Sequence, residues 1–215
     1  MNPGNDSQKF PKKLILASRS PRRKQLLTEA GYEFEVHPSG IEEQPARPGE
    51  SAAAYAMRLA YEKAASVVSG GIGGLVLGCD TVVECDGQIF GTPVDERDAE
   101  RILKALRGKR HRVVTGVCLW DTEVGRAQIQ AATTTVEMDH LSDAEITEYL
   151  NSGQWRGKAG AFGYQDRLGW VRIVEGSESN VVGLPLELLA EMLRFFFLEK
   201  TEGASLSQTG QVTEK

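Results

Sequence analysis

The 215-residue sequence has few cysteines, no long apolar run and no excess of positive charge. Its three cysteines, Cys79, Cys85 and Cys118, fit no zinc-ligand spacing and form no C-x-x-C pair, so we expect buried thiols in a reducing compartment. No stretch approaches about 18 consecutive apolar residues, which argues against a membrane-spanning helix. The N-terminal residues lack the apolar segment of a signal peptide, so we expect a cytoplasmic location.

The charge balance is 25 Lys and Arg against 30 Asp and Glu, a net charge of -5. Proteins that bind nucleic acid polymers through their phosphates normally carry the opposite sign. We therefore expect neither a nucleic acid polymer nor a membrane as partner. The charge is unevenly spread, however, because residues 12–24 hold six basic residues and no acidic one. That local concentration suits a single small phosphate ligand.

Length and composition predict one domain, since 40% of the residues are apolar and 26% are charged. We expect it to span residues 12–199, between two polar and disordered extensions at 1–11 and 200–215. Strand-like and helical patterns alternate, and two hairpins are predicted, so the fold class is α/β with a mixed twisted sheet and flanking helices. Predicted strands cover residues 14–17, 32–37, 75–85, 88–90, 111–120, 127–138 and 170–174. Predicted helices cover residues 20–30, 51–69, 95–107, 142–153 and 185–199.

The first candidate site is the basic start of the first predicted helix. Arg19, Arg22 and Arg23 lie at a helix N-terminus, where cations are unfavourable unless an anion is bound. Free backbone N–H groups and guanidinium groups together would hold a polyphosphate. The alternative is a solvated basic turn, or one that forms salt bridges with Glu29 or Glu33.

The second candidate is Asp80, in the middle of the apolar run 75–85. A buried carboxylate needs a partner, which could be a metal ion, a basic group, a catalytic water or simply the backbone. In a regular strand Thr81 points to the opposite face. Glu42 and Glu43 lie in a predicted loop and matter only if the fold brings them beside Asp80, where they would suit Mg²⁺.

Two lysines complete the candidates. Lys63 lies on the apolar stripe of the second predicted helix, so it either extends to the solvent or points inward to a phosphate or to Asp80. Lys158 lies in the glycine-rich stretch 157–165, where backbone amides can approach a ligand and Gln165 can pair with the edge of a base. That stretch could equally be an ordinary mobile loop.

Several segments occur in one characteristic order, and together they resemble the Maf family of nucleoside triphosphate pyrophosphatases over about residues 13–195. The segments are LASRSPRR (16–23), GIEEQ (40–44), ESAAAYAMRLAYEKA (50–64), GCDTVV (78–83), TGV (115–117), GKAGAFGYQ (157–165) and NVVGLPL (180–186). The resemblance implies a hydrolase that cleaves a nucleoside triphosphate into monophosphate and pyrophosphate with a divalent cation, Mg²⁺, Mn²⁺ or Co²⁺. It also implies an elongated two-lobed body with a central cleft, similar to inosine triphosphatase, and a possible homodimer.

The resemblance also assigns roles. It makes Asp80 the proton acceptor and places Glu43 and Lys63 at catalytic positions. We expect Glu43 and Asp80 also to help bind the divalent cation, directly or through water. Ser18 and Arg23 would bind substrate, together with Arg19 and Lys158. Arg22, Thr81 and Gln165 match the branch of the family that acts on dTTP and UTP rather than on 7-methyl-GTP.

Two positions depart from the family pattern. Thr92 stands where the family usually has a lysine, and Asp166 stands where it usually has a glycine. The first departure leaves open a nucleotide-binding regulator of cell division with weak or lost catalysis. A pyrophosphatase for 7-methyl-GTP or other modified purine triphosphates is the other alternative.

Overall fold

The computed structural model describes residues 12–205, with side chains described as far as residue 196. Within that range seven strands alternate with six α-helices. The strands are β1 (Leu14–Leu16), β2 (Phe34–Val36), β3 (Leu75–Cys85), β4 (Gln88–Phe90), β5 (Arg110–Asp121), β6 (Arg126–Met138) and β7 (Val171–Glu175). The helices are α1 (Pro21–Glu29), α2 (Ala52–Ser69), α3 (Glu96–Leu106), α4 (Asp143–Ser152), α5 (Glu178–Val182) and α6 (Leu186–Ser205). Two 3₁₀ turns, Ala159–Ala161 and Tyr164–Asp166, lie between α4 and β7.

All seven strands belong to one mixed sheet, with the order β2-β1-β3-β5-β6-β7 and β4 paired to β3. The strand β1 runs parallel to both β2 and β3, and each of these connections crosses over through a helix, α1 or α2. The pairs β3–β5, β5–β6 and β6–β7 are antiparallel. The predicted α/β class with a mixed sheet is therefore confirmed.

Local sequence signals explain where the helices begin. The side chain of Ser20 accepts a hydrogen bond from the backbone of Arg23, and Pro21 occupies the first position of α1. Ser51 caps α2 in the same way, and Ser142 forms a capping box with Glu145 at the start of α4. These caps fix the N-terminus of α1, which carries the basic residues, at a defined place beside the sheet.

The helix α2 lies directly on the sheet because the strands below it carry glycine. A Cβ atom added to Gly78 of β3 would lie 2.1 Å from the carbonyl oxygen of Ala60, and one added to Gly116 of β5 would lie 2.3 Å from the carbonyl of Ala56. Helix backbone thus packs against strand backbone, which no larger residue would permit. The next turn of α2 places Lys63 above β3.

The buried apolar residues form several clusters on either side of the sheet. One joins β1, α1 and α6 with the first half of β3, and includes Leu16, Leu27 and Met192. Another joins the second half of β3 with α3, α4 and Phe162 of the glycine-rich stretch. Residues of both halves of β3, Asp80 to Val83, line a large cleft, whose opposite walls come from α1 and from residues 156–165.

The structure differs from the predicted elements most at three places, one of which is α5, a helix not predicted from the sequence. The strand β2 covers three residues instead of six, since pairing with β1 extends over Phe34–Val36 alone. The helix α6 continues to Ser205, beyond the predicted end at 199. The expected disordered extension 1–11, and residues 206–215 of the one expected at 200–215, lie outside the described residues. In the described part of the chain, no helix combines the length and apolar character needed to span a membrane.

Candidate active site

The cleft has a volume of about 510 Å³, and every residue to which a site role was assigned lies on its wall. These residues are Ser18, Arg19, Arg22, Arg23, Glu43, Lys63, Asp80, Thr81, Lys158 and Gln165. They come from five separate segments of the chain, which the sheet and its crossovers bring together. Their chemical roles remain predictions, but their proximity is a property of the fold.

Asp80 and Lys63 form a buried ion pair at the centre of the cleft. The Lys63 Nζ atom lies 2.6 Å from Asp80 Oδ1 and 2.6 Å from Glu43 Oε1. Asp80 is 6% exposed and Lys63 is 8% exposed, so each charge compensates the cost of burying the other. Lys63 therefore points inward, and the alternative in which it extends to the solvent is wrong.

The environment of Asp80 favours proton transfer. Burial raises the pKa of its carboxyl above the ordinary value, while the charges of Lys63 and Arg23 act in the opposite direction. No described residue donates a hydrogen bond to its second oxygen, Oδ2, which leaves that atom for a ligand or a water molecule. Gly116 is the cross-strand neighbour of Asp80, so no side chain from β5 covers the carboxylate on that face.

Glu43 and Asp80 are also the predicted metal ligands. Glu43 lies on an exposed loop, and its carboxylate meets Asp80 through the shared Lys63. No group of three or more His, Cys, Asp or Glu residues suited to a metal occurs among the described residues. Two carboxylates nonetheless fit Mg²⁺, which typically takes one or two of them and completes its shell with phosphate oxygens and water. Glu42 is exposed and does not line the cleft.

Arg23 is buried and holds three parts of the cleft wall together. Its Nε donates to the carbonyl of Gly183 at 2.8 Å, its Nη1 to Ser18 Oγ at 3.2 Å, and its Nη2 to Thr81 Oγ1 at 3.1 Å. A guanidinium has five N–H groups, so two remain for a ligand. Thr81 in turn lies 3.0 Å from Thr115 through their hydroxyls, which explains the position of the TGV segment.

The other two arginines of this turn are more accessible. Arg19 is exposed, whereas Arg22 is half-buried and donates from Nη2 to the carbonyl of Gly157 at 2.7 Å. Burial, together with the charge of Arg23, lowers the pKa of Arg22. Neither Glu29 nor Glu33 forms a salt bridge with these arginines, and Glu29 bonds to Gln25 instead. Among the described residues, no carboxylate forms a salt bridge with these arginines, although the charge of Asp166 acts on Arg22 from the glycine-rich stretch.

The glycine-rich stretch 157–165 forms one wall of the cleft and is held in place by specific hydrogen bonds and an ion pair. Lys158 is 8% exposed and pairs with Asp166, which also accepts hydrogen bonds from Tyr149 and Gln165. The N–H of Gly160, where φ is +71°, donates to the carbonyl of Gly91 at 3.0 Å. That bond places the stretch next to Thr92, which lines the cleft as well.

Sequence reasoning missed two cleft residues and left one segment without a role. Arg156 is exposed on the cleft wall and its guanidinium stacks over Trp155, 4.7 Å from the ring centroid. Tyr55 of α2 also lines the cleft. Asn180, fully buried, donates to Val113 O at 3.1 Å and to Thr134 Oγ1 at 2.9 Å, so the NVVGLPL segment braces the sheet beneath the cleft. In the sequence, the only feature that could have drawn attention to Arg156 is the neighbouring Trp155, on which its guanidinium stacks.

Fold and site together define a class: an α/β protein whose cleft combines a basic helix N-terminus with a buried lysine–aspartate pair. Such a cleft can bind a polyphosphate and place a carboxylate beside it. The chain matches the family model described as "Maf-like protein" over residues 13–196. It therefore belongs to the Maf family.

Named relatives point the same way. The chain is 49% identical over 196 residues to a dTTP/UTP pyrophosphatase from Rhodopirellula baltica, covering 90% of this chain and 86% of the relative. It is 46% identical over 182 residues to a protein of the same name from a Geobacter species, covering 84% and 94% of the two chains.

Among solved structures, the dITP/XTP pyrophosphatase of Mycobacterium abscessus matches with a TM-score of 0.37 at 17% identity, covering 60% of this chain and 75% of that one. The Staphylococcus aureus Ham1 protein matches with a TM-score of 0.38 at 14% identity, covering 59% and 72%. These two scores are too low to add to the assignment.

Proposed function

We propose that the chain is a nucleoside triphosphate pyrophosphatase that hydrolyses dTTP and UTP, or modified pyrimidine nucleotides, to the monophosphate and pyrophosphate. The observation that carries this proposal is the placement of the Asp80–Lys63 pair and the basic start of α1 on the walls of one cleft. Relatives at 46–49% identity that bear the name dTTP/UTP pyrophosphatase support the substrate class.

The triphosphate would bind at the N-terminus of α1. The first turn of this helix holds no acidic residue. Pro21 has no N–H, and the N–H of Arg23 donates to Ser20 Oγ. The backbone N–H of Arg22 and the guanidinium groups of Arg19 and Arg22 are therefore the groups that act on an anion. The remaining N–H groups of Arg23 and the hydroxyl of Ser18 extend this surface toward β3. Arg156 offers a further cation at the opposite wall.

Asp80 would act as the general base. Its raised pKa and open Oδ2 suit a carboxylate that takes a proton from a water molecule as that water attacks the α-phosphorus. The bond to the bridging oxygen breaks, and pyrophosphate leaves with its negative charge balanced by Lys63 and the arginines. Glu43 keeps Lys63 beside Asp80 while the cleft opens to substrate.

A divalent cation, for which Mg²⁺, Mn²⁺ and Co²⁺ are the candidates, would be held by Glu43 and Asp80 and would neutralise charge on the phosphate oxygens. Arg22, Thr81 and Gln165 would select the base, with Gln165 offering its carboxamide to the base edge.

The direct test measures pyrophosphate release from dTTP, UTP, CTP, GTP and 7-methyl-GTP in the presence of Mg²⁺. We expect dTTP and UTP to be cleaved fastest. Faster cleavage of the purine nucleotides would remove the argument from Arg22, Thr81 and Gln165. Nucleotide binding, seen as a rise in melting temperature, without release of pyrophosphate would instead favour the regulatory alternative that Thr92 leaves open.

Two further parts of the proposal concern the context of the enzyme. We propose a cytoplasmic location and a homodimer, both on the strength of the family resemblance. Light scattering on a size-exclusion column measures the second, and a monomer at all accessible concentrations would contradict it.

A further inference from the structure

Asp166 lies at the centre of a polar cluster on the cleft wall. Its Oδ2 accepts hydrogen bonds from Lys158 Nζ and, at 3.1 Å, from the hydroxyl of Tyr149. Its Oδ1 accepts from Gln165 Nε2 at 3.4 Å. The side chains of Lys158 and Asp166 are 10% and 13% exposed, so the pair is largely removed from solvent. Both oxygens of this carboxylate are therefore engaged within the protein.

The cluster depends on the absence of a side chain at Gly163. A Cβ atom there would lie 2.6 Å from Gln165 Nε2, 2.7 Å from Asp166 Oδ2 and 2.7 Å from Lys158 Nζ. The three polar ends thus converge on the bare backbone of one residue. Because the three side-chain ends contact one another, a shift of one of them displaces the other two.

The carboxylate determines which end of the Gln165 carboxamide faces it. An ionised carboxylate only accepts hydrogen bonds, whereas a carboxamide has an NH₂ end that donates and an oxygen that accepts. The NH₂ end therefore turns to Asp166, and the reversed arrangement would place two acceptors against each other. Within the described residues no group donates to Gln165 Oε1, so the acceptor is the end left for a ligand in the cleft.

The charge of Lys158 is used inside the same cluster. Its ammonium is paired with Asp166, so Lys158 acts on a nucleotide through the cluster and not as a free phosphate-binding cation. Asp166 also lies close enough to Arg22 to raise the pKa of that guanidinium, although burial lowers it more. The cluster therefore also interacts electrostatically with Arg22, whose guanidinium donates a hydrogen bond to the Gly157 carbonyl.

We propose that Asp166 is a positioning residue that fixes the hydrogen-bonding polarity of Gln165 and thereby selects the base. With Oε1 presented, the wall favours a base with an N–H donor on its pairing edge, such as N3–H of uracil or thymine. Cytosine has an acceptor at N3 and is disfavoured, since two acceptors would then meet. This inference rests on the proposed function, because it takes a pyrimidine nucleotide as the ligand.

The test compares UTP with CTP in wild type and in Asp166→Asn, which removes the charge and keeps the shape. Asparagine can donate to Gln165, so the carboxamide is free to reverse. We expect the ratio of kcat/KM for UTP over CTP to fall by about tenfold, with kcat for UTP changed by less than about threefold. An unchanged ratio would overturn the proposal.

A double-mutant cycle distinguishes positioning from a merely structural role. Gln165→Leu removes the acceptor, and we expect it to lower the UTP/CTP ratio as well. If Asp166 acts through Gln165, adding Asp166→Asn to Gln165→Leu produces no further change in the ratio. A second, independent fall in the double variant would show that Asp166 acts by another route and would refute the proposal.

Asp86→Asn is the matched control. It makes the same substitution and removes a lysine–aspartate ion pair, with Lys109 at 2.9 Å, that is exposed and lies outside the cleft. The ratio should stay at the wild-type value. Binding of non-hydrolysable UTP and CTP analogues, measured by calorimetry, separates this inference from the proposed function. A wild type that releases no pyrophosphate contradicts the proposed function alone, whereas equal binding of the two analogues contradicts the role of Asp166.

Discussion

The cleft contains two buried lysine–aspartate pairs, and a comparison of the two separates the part of the site suited to chemistry from the part that positions other groups. The pair Lys63–Asp80 joins a helix to a central strand, whereas Lys158–Asp166 joins two turns of one connecting stretch. The four side chains have similar exposure, between 8% and 13%. Burial and charge alone therefore do not distinguish a reactive pair from a supporting one.

What differs is how each carboxylate is used. Asp80 accepts one described hydrogen bond and keeps Oδ2 open, while its lysine is shared with the exposed Glu43. Asp166 is bonded through both oxygens, to Lys158, Tyr149 and Gln165. An incompletely bonded carboxylate can take up a proton or a ligand, and a fully bonded one serves to hold its neighbours. The predictions below test that distinction.

The largest effect is expected for Asp80→Asn. An amide cannot accept the proton of the attacking water, so kcat for dTTP should fall by about a thousandfold. Stopped or continuous assays of pyrophosphate release measure this, and the melting temperature verifies that the variant is folded. Release within tenfold of wild type would mean that Asp80 is not the base.

The two lysines provide the direct comparison. Lys63→Met and Lys158→Met each leave a buried carboxylate without its cation, so both should lose about 3 kcal/mol of stability. Their activities should diverge, with kcat about a hundredfold lower for Lys63→Met and less than about tenfold lower for Lys158→Met. Denaturant unfolding and pyrophosphate release measure the two properties. Equal losses of activity would abolish the distinction between the pairs.

Acid should lower the free energy of unfolding through His111, which packs against the wall that carries the second pair. His111 packs its ring edge against Phe162, 5.6 Å between centroids, and burial lowers its pKa to about 4. Above the unfolded pKa of about 6.5 the ring is neutral in both states, so it makes no difference there. Below that value the unfolded chain binds a proton that the folded chain excludes, and stability falls as the pH falls toward 4.

Between pH 7 and pH 5 this amounts to about 2 kcal/mol. Urea unfolding of wild type and His111→Gln at both pH values measures it, since the variant lacks this titration. A wild type whose stability changes no more than that of the variant would show that the ring is already protonated or exposed.

The smallest effect is expected for Thr92→Lys, which restores the cation of the family pattern on the wall of the cleft. Because the side chain is exposed, the added charge should raise kcat/KM for dTTP by only about threefold. Val94→Lys, two residues away and outside the cleft, adds the same charge as a control. An equal rise in both variants would point to a general effect of net charge.

The backbone could be predicted from the sequence where local chemistry decides it. Caps at Ser51 and Ser142 and the Asp86–Gly87 turn marked element ends to within a residue or two. The grouping of Asp80 with Arg23 could not follow from local pattern, because it depends on contacts such as the bond from Arg23 to Gly183, 160 residues away. The family resemblance supplied that grouping, and the structure supplied the geometry.

The orientation of Lys63 shows most clearly what sequence could not provide. Helical spacing alone placed it on the apolar stripe, where extension to the solvent is the usual outcome. Its inward direction requires α2 to lie close to β3, which is set by Gly78 and Gly116 across the sheet. Likewise, Lys158 was predicted to bind substrate from its place in the glycine-rich stretch, and its ion pair with Asp166 is visible only once the loop is folded.

The glycine contact beneath α2 has a consequence for how such an enzyme can change over generations. Because helix and strand meet through backbone at Gly78 and Gly116, the separation between the backbones that carry Lys63 and Asp80 is set without an intervening side chain. The same contact cannot absorb even one additional methyl group at Gly78 or Gly116. Among the glycines in the wall formed by residues 156–166, Gly160 and Gly163 carry a comparable restriction, but it involves side chains and not the backbone of a helix. New nucleotide preferences can therefore arise in that wall while the hydrolytic step is inherited unaltered.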